Sequence, residues 1–202
     1  MLVTQTLCKS RFKMSKRYQV AVDIQNLWYS CRYTHGPNFR VDYKKLLDYV
    51  ADIAEEEGAS VNCTAYMIAS PNHDQTNFVN TLRTLGFNIK KRNLHFDPDR
   101  RHAQNTNWDV GITADALFHS ESYDSFVLVS GDGDFIYLLD PLKDLGKEVV
   151  VVSFEKSLNK AVSQAADEVF FLDGDVVYDP KEMYRQHQVR SSEELLDDLI
   201  NS

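Results

Sequence analysis

The run Glu148-Val149-Val150-Val151-Val152-Ser153 constrains this chain more than any other segment. Consecutive β-branched residues favour an extended backbone, and neighbours in a strand point to opposite faces, so both faces of this strand are apolar. A strand of that kind is stable only as the middle layer of a domain. Parallel sheets place it there, because their crossover helices cover both faces. Ser125-Phe126-Val127-Leu128-Val129-Ser130 is a second such run, and residues 18–23, 61–68, 87–94 and 170–172 read as further strands.

Helical patterns alternate with these strands. Tyr43, Leu46, Leu47, Val50, Ile53 and Ala54 recur at helical spacing after Asp42, a suitable N-cap. Phe78, Leu82 and Leu85 mark a second helix, and residues 109–119 a third. Leu138, Leu139, Leu142 and Leu145 mark a fourth, in which Pro141 is expected to cause a kink or a break. Gly58, Gly86 and Gly146 stand where helices give way to strands, the place of a left-handed cap. Residues 35–41 and 97–107 read as long loops. The alternation predicts an α/β fold, a mainly parallel central sheet with helices on both faces.

The chain divides into residues 1–17, a basic flexible leader; residues 18–180, the domain; and residues 181–202, a tail. In the tail, Ser191 and Glu194 resemble a capping box, and Leu195, Leu196, Leu199 and Ile200 form one apolar stripe. A short amphipathic helix there would dock on its own domain, on a second copy in a homodimer, or in a protein partner's groove. No apolar run reaches the ~20 residues needed to cross a bilayer, so no membrane role is expected. Cys8, Cys31 and Cys63 form no C-x-x-C pair, which argues against a disulfide framework or thiolate zinc site and for a reducing, cytoplasmic setting. The 202 residues carry a net charge of −8, excluding a uniformly basic nucleic-acid coat but not an acidic site filled by a metal ion.

Open parallel sheets bind ligands beyond the carboxyl ends of their strands. Asp23 and Asn26 follow the first strand, and Ser130-Gly131-Asp132-Gly133-Asp134 follows the fourth. Asp109 opens the helix between, with Asp115 six residues on. Crowded carboxylates repel, by ~4 kcal/mol for two bare charges ~4 Å apart at an effective dielectric of 20. A divalent cation removes that repulsion, and an all-oxygen set selects a hard ion, Mg²⁺ or Mn²⁺. Helix capping is the competing role for each acid. Asp115 points ~120° from Asp109 in a regular helix, so it joins the site only if Asp109 lies just before the helix. No phosphate-binding G-x-x-x-x-G-K-[ST] motif occurs, and Asp23-Ile24-Gln25-Asn26 lacks the D-x-D pattern of haloacid-dehalogenase-like phosphatases.

Residues 20–27, V-A-V-D-I-Q-N-L, resemble the opening D-x-x-N element of NYN domains, in the PIN-like nuclease superfamily. Trp108-Asp109-Val110-Gly111-Ile112-Thr113-Ala114-Asp115 is similar to that family's V-D-V-x-L-x-x-D element, and Ser130–Phe135 to its S-G-D-x-D-F signature. Gly146-Lys147-Glu148-Val149 matches the G-K-x-V that follows. The resemblance implies a three-layer α/β/α sandwich and a metal-dependent ribonuclease. Asp23, Asp109, Asp132 and Asp134 would be its metal-binding catalytic acids, supported by Asn26, Asp115 and Ser130. Trp108 departs from the family's small aliphatic residue, and Thr106-Asn107 from its frequent Lys-Gly.

An RNA substrate, single-stranded or structured, also needs cations. Lys90, Lys91, Arg92, Arg100 and Arg101 give residues 90–101 a surplus of three positive charges, and Trp28, Tyr29, Tyr33, His95, Phe96 and Trp108 are candidates for stacking on bases. The expected activity is endonucleolytic hydrolysis of RNA phosphodiesters. The alternatives are a catalytically silent nucleic-acid-binding module and a phosphate-ester hydrolase acting on nucleotides.

Overall fold

The structure, a computed structural model, describes residues 15–54, 58–69, 73–93 and 107–183. Six strands form one sheet: β1 (Arg17–Asp23), β3 (Ser60–Ala69), β4 (Asn88–Asn93), β5 (Ser125–Val129), β6 (Glu148–Phe154) and β7 (Glu168–Leu172). Every pairing is parallel, in the order β4-β3-β1-β5-β6-β7. Two short strands, β2 (Arg40–Val41) and β8 (Val177–Tyr178), pair antiparallel beside it.

The double-sided strands are buried as their sequence requires. Val20 and Val22 of β1, Val127 and Val129 of β5, and Val150 and Val152 of β6 pack on one face, with Leu27 and Cys31 of α1 (Ile24–His35), Leu46 and Val50 of α2 (Tyr43–Ile53), and Val79 and Leu82 of α3 (Thr76–Thr84). Ala21, Phe126, Leu128, Val149 and Val151 point to the other face. They meet Ile112 and Ala116 of α4 (Asp109–Phe118), Leu138, Leu139 and Leu142 of α5 (Ile136–Asp144), and Val162 of α6 (Lys160–Ala165). The result is the expected α/β/α sandwich.

Four local expectations are corrected. Residues 24–35, assigned no helix from sequence, form α1, capped by Asp23 at one end and by Gly36 at φ 117° at the other. Gly58 does not close α2, which ends at Ile53 with Ala54 as its cap, although Gly58 does hold a φ of 84°. Pro141 lies inside α5 without splitting it. Proline lacks the N–H that would bond the carbonyl four residues back. That residue, Tyr137, is 83% exposed. Arg17 belongs to β1 and Lys16 pairs with Glu148 at 2.6 Å, although both residues fall within the leader expected from sequence. The capping box and apolar stripe of the tail lie outside the described residues.

The strand order fixes where a ligand can sit. From the centre the chain winds outward one way through β3 and β4, and the other way through β6 and β7. After β1 it turns to one face as α1; after β5 it turns to the opposite face as α5. The crevice between β1 and β5 is the switch point of such a sheet. Val22 pairs with Val129, so Asp23 and Ser130 leave the sheet side by side.

Candidate active site

Asp23 ends β1 and caps α1. Its Oδ1 accepts the N–H groups of Gln25 at 3.1 Å and Asn26 at 3.0 Å. It is 6% exposed, and burial raises its pKa, helped by the charge of Asp132 and opposed by those two N–H groups. The Asn26 side chain ties the two loops together. Its Oδ1 accepts the N–H of Gly131 at 3.0 Å and the hydroxyl of Ser30 at 3.3 Å. Buried Ser130 accepts the N–H of Asp132 at 3.3 Å, and Asp132 Oδ1 accepts the N–H of Asp134 at 3.1 Å.

The next loop explains both glycines. A Cβ on Gly131 would fall 2.5 Å from the Ser157 carbonyl oxygen and 2.7 Å from Ser153 Oγ. A Cβ on Gly133 would fall 2.5 Å from Asn159 Nδ2. Asn159 caps α6, and its N–H donates to the Gly131 carbonyl at 3.0 Å. Sequence reasoning missed this packing against the β6–α6 connection; its signal is the Asn-Lys-Ala start of a helix.

Asp109 is the first residue of α4 and only 9% exposed. Its carboxyl pKa is pushed up to about 6, by burial first and then by the charges of Asp132, Asp23 and Asp134. The four acids, up to 111 residues apart in the chain, thus share one electrostatic environment. The Asn107 amide donates to Asp109 Oδ2, while buried Oδ1 has no hydrogen-bond partner. Among the described residues, no ion pair joins any of the four to a lysine or arginine, and no three acid, histidine or cysteine side chains form a ready-made metal cage. The donor set still suits a hard cation: it is all oxygen, mutually repelling, and includes an orphaned buried carboxylate oxygen.

Asp115 is placed elsewhere. It pairs with Lys90 Nζ at 2.5 Å and lies beside Tyr66, whose hydroxyl pKa is raised by burial and then by the Asp115 charge. It is therefore not among the acids that bear on Asp109, as expected when Asp109 is itself the first helical residue. The basic run of β4 is divided as well. Lys90 is neutralised by Asp115, Arg92 reaches the Asn107 carbonyl at 3.5 Å, and Lys91 points to the opposite face. Arg100, Arg101, His95 and Phe96 lie outside the described residues. Trp108 serves packing: its Nε1–H donates to the Met67 carbonyl at 2.8 Å, and its ring lies 5.4 Å from that of Tyr66 and against Gly111.

The NYN domain model matches residues 17–173. The chain is 30% identical over 155 residues to the Low amplitude and bright protein LabA of Synechococcus elongatus, covering 75% of this chain and 81% of that one. A solved structure of a protein of unknown function from Vibrio parahaemolyticus superposes with a TM-score of 0.71 at 30% identity, covering 82% of this chain and 98% of its own. No helix among the described residues is long and apolar enough to cross a membrane.

Proposed function

The chain belongs to the NYN domain family, and from that membership we propose that it is a metal-dependent ribonuclease, cleaving RNA at the rim where Asp23, Asp109, Asp132 and Asp134 meet. The observation that carries this reading is Asp109. It is a buried carboxyl surrounded by three like charges, with one oxygen unpartnered and no basic side chain in compensation among the described residues.

Asp23, Asp109, Asp132 and Asp134 would hold Mg²⁺ or Mn²⁺. Such an ion, when bound, supplies Lewis-acid chemistry, neutralising a phosphodiester's charge and making water acidic enough to attack phosphorus. The remaining work belongs to the chain. Asn26 holds the β5 loop against the start of α1, fixing Asp132 relative to Asp23. Ser130 fixes the Asp132 backbone, and Asn107 orients the Asp109 carboxylate.

The test is a 5′-labelled single-stranded RNA incubated with the purified full chain in Mn²⁺, in Mg²⁺ and in EDTA. Cleavage should require the metal and fall at least a hundredfold in Asp132→Asn, the order expected when an electrostatic contact made in the transition state is lost. Equal cleavage in EDTA, or by that variant, overturns the mechanism. A second reading, a silent RNA-binding module, is favoured by the Asn107 hold on Asp109 and by the lack of a ready-made cage among the described residues. RNA binding without turnover in Mn²⁺ would select it. Turnover of mononucleotides but not oligonucleotides would select a phosphate-ester hydrolase.

A further inference from the structure

One residue beyond Asp23, a groove of about 910 Å³ opens between α1, the start of α2, and α3. Ile24 and Gln25 form the wall nearest the acids, and Met67 and Ile68 at the end of β3 also line it. We infer that this groove receives unstacked bases of single-stranded RNA next to the scissile phosphate, with Trp28 and Tyr29 as the stacking platform; the inference rests on the ribonuclease reading and names its substrate class.

Four observations support it. First, large aromatics are left open to solvent at the rim: Trp28 is 38% exposed and Tyr29 59%. Secondly, they are held in place. The two rings meet edge to face with centroids 4.7 Å apart, and the Arg32 guanidinium carbon lies 4.4 Å from the Trp28 ring centroid. A fixed ring loses little entropy when a base stacks on it. Thirdly, cations stand at the same rim. Arg40 is anchored through Nη1 to the carbonyls of Pro37, Asn38 and Phe39, at 3.0, 2.9 and 2.8 Å, and Arg32 adjoins Trp28. The wall acids Asp42 and Asp74 are turned to backbone N–H groups at the starts of α2 and α3. Fourthly, the groove wall begins at Ile24, the residue after Asp23, and includes the end of β3, the strand paired with β1, so a strand whose phosphate lies at the acids has its neighbouring bases within reach of the groove. A volume near the upper end of ligand sites, ~300–1,000 Å³, has room for more than one base. A duplex keeps its bases stacked and hidden, so the groove selects single strands.

The experiment uses the full chain carrying Asp132→Asn, so that RNA stays intact, titrated with a single-stranded oligoribonucleotide and separately with its duplex. The single strand should quench tryptophan emission, and Trp28→Phe should abolish that quenching, assigning it to Trp28 rather than Trp108. In fluorescence anisotropy, Trp28→Ala should weaken single-strand binding by about fivefold to about a hundredfold, the fold-change of one lost base stack. Trp28→Phe, which keeps a ring, should recover most of it; an unchanged melting temperature in both variants excludes a folding defect. Unquenched emission at saturating RNA, Trp28→Ala binding within twofold of the parent, or equally tight duplex binding overturns the inference. So does RNA binding that emerges only after truncation beyond Met183, which would give the groove to the chain's own tail. Quenching with no cleavage by the unsubstituted chain removes the nuclease and leaves the base groove standing; cleavage with no quenching does the reverse.

Discussion

Replacing Asp109 with asparagine should stabilise the metal-free protein while disabling its site. The side chain keeps its shape and still offers an oxygen to the Asn107 amide, but the buried charge is gone. The carboxyl pKa is about 6 in the fold against 3.8 for a free side chain. Two pH units at ~1.4 kcal/mol each put the cost of ionising it at no more than about 3 kcal/mol. Partial solvation of the rim reduces this, so the expected gain at pH 7 is about 1–3 kcal/mol, or about 2–4 °C in melting temperature for each kcal/mol in a domain of this size. The sign with pH follows. Because the folded pKa lies above the unfolded one, the penalty is full at pH 7 and is relieved as the pH falls through about 6 towards 4, where the folded state takes up its proton first. The advantage of Asp109→Asn in EDTA should therefore shrink between pH 7 and pH 5. Mn²⁺ should act oppositely. At a hundredfold excess over its Kd it should stabilise the parent by ~2.7 kcal/mol, and it should do so far less in the variant. Thermal scans in EDTA and in Mn²⁺ at the two pH values give all four numbers. An Asp109→Asn protein less stable than the parent at pH 7 in EDTA would refute the idea that the four acids repel across one rim.

Gly131→Ala should cost about 1–3 kcal/mol by overpacking, because the Ser157 backbone carbonyl stands in the way; an unchanged urea midpoint would contradict the close approach. Gly111→Ala should also destabilise, reversing the ~1 kcal/mol usually gained inside a helix, since the new methyl meets the Trp108 ring; the double variant with Trp108→Leu should recover the gain in thermal unfolding. Arg17 holds the Asp124 carboxyl down at about 2, through hydrogen bonds at 2.8 and 3.0 Å, so this pair stabilises above pH 4 and is lost as the pH falls from about 4 towards 2. Arg17→Met should therefore lower stability at pH 6 but not at pH 2 in acid titrations followed by circular dichroism.

How far the sequence could be read follows from where its pattern is simple. The β5 and β6 runs are apolar on both faces, and that alone places them between two helical layers. Helix α1 was hidden because only Ile24, Leu27 and Cys31 mark its buried stripe, with Ser30 among them, while Trp28, Tyr29 and Tyr33 project outward and blur the period. Of these, Trp28 and Tyr29 border the proposed base groove. The acids at the strand ends were legible because strand order alone decides which loops share a rim. The partner of Asp115 was not, since it depends on which face of β4 carries Lys90, and one residue of register moves a side chain to the opposite face.

The same contrast separates structural acids from candidate catalytic ones. Away from the rim, four partly buried carboxylates are matched with cations, Glu148 with Lys16, Asp124 with Arg17, Asp115 with Lys90 and Asp167 with Lys143, while acids at helix starts such as Asp42 and Asp74 stand on backbone N–H groups. At the rim, position is enforced by neutral groups instead, through the Asn26 amide, the Ser130 hydroxyl, the Asn107 amide and backbone N–H groups. Neutral donors fix geometry without cancelling charge, so the negative potential stays concentrated where α1, α4 and the β5 loop meet. A lysine at that place would raise stability and remove the reason for a divalent ion to bind. A rim held by hydrogen bonds but left uncompensated in charge among the described residues is the arrangement that the proposed cation-dependent site requires.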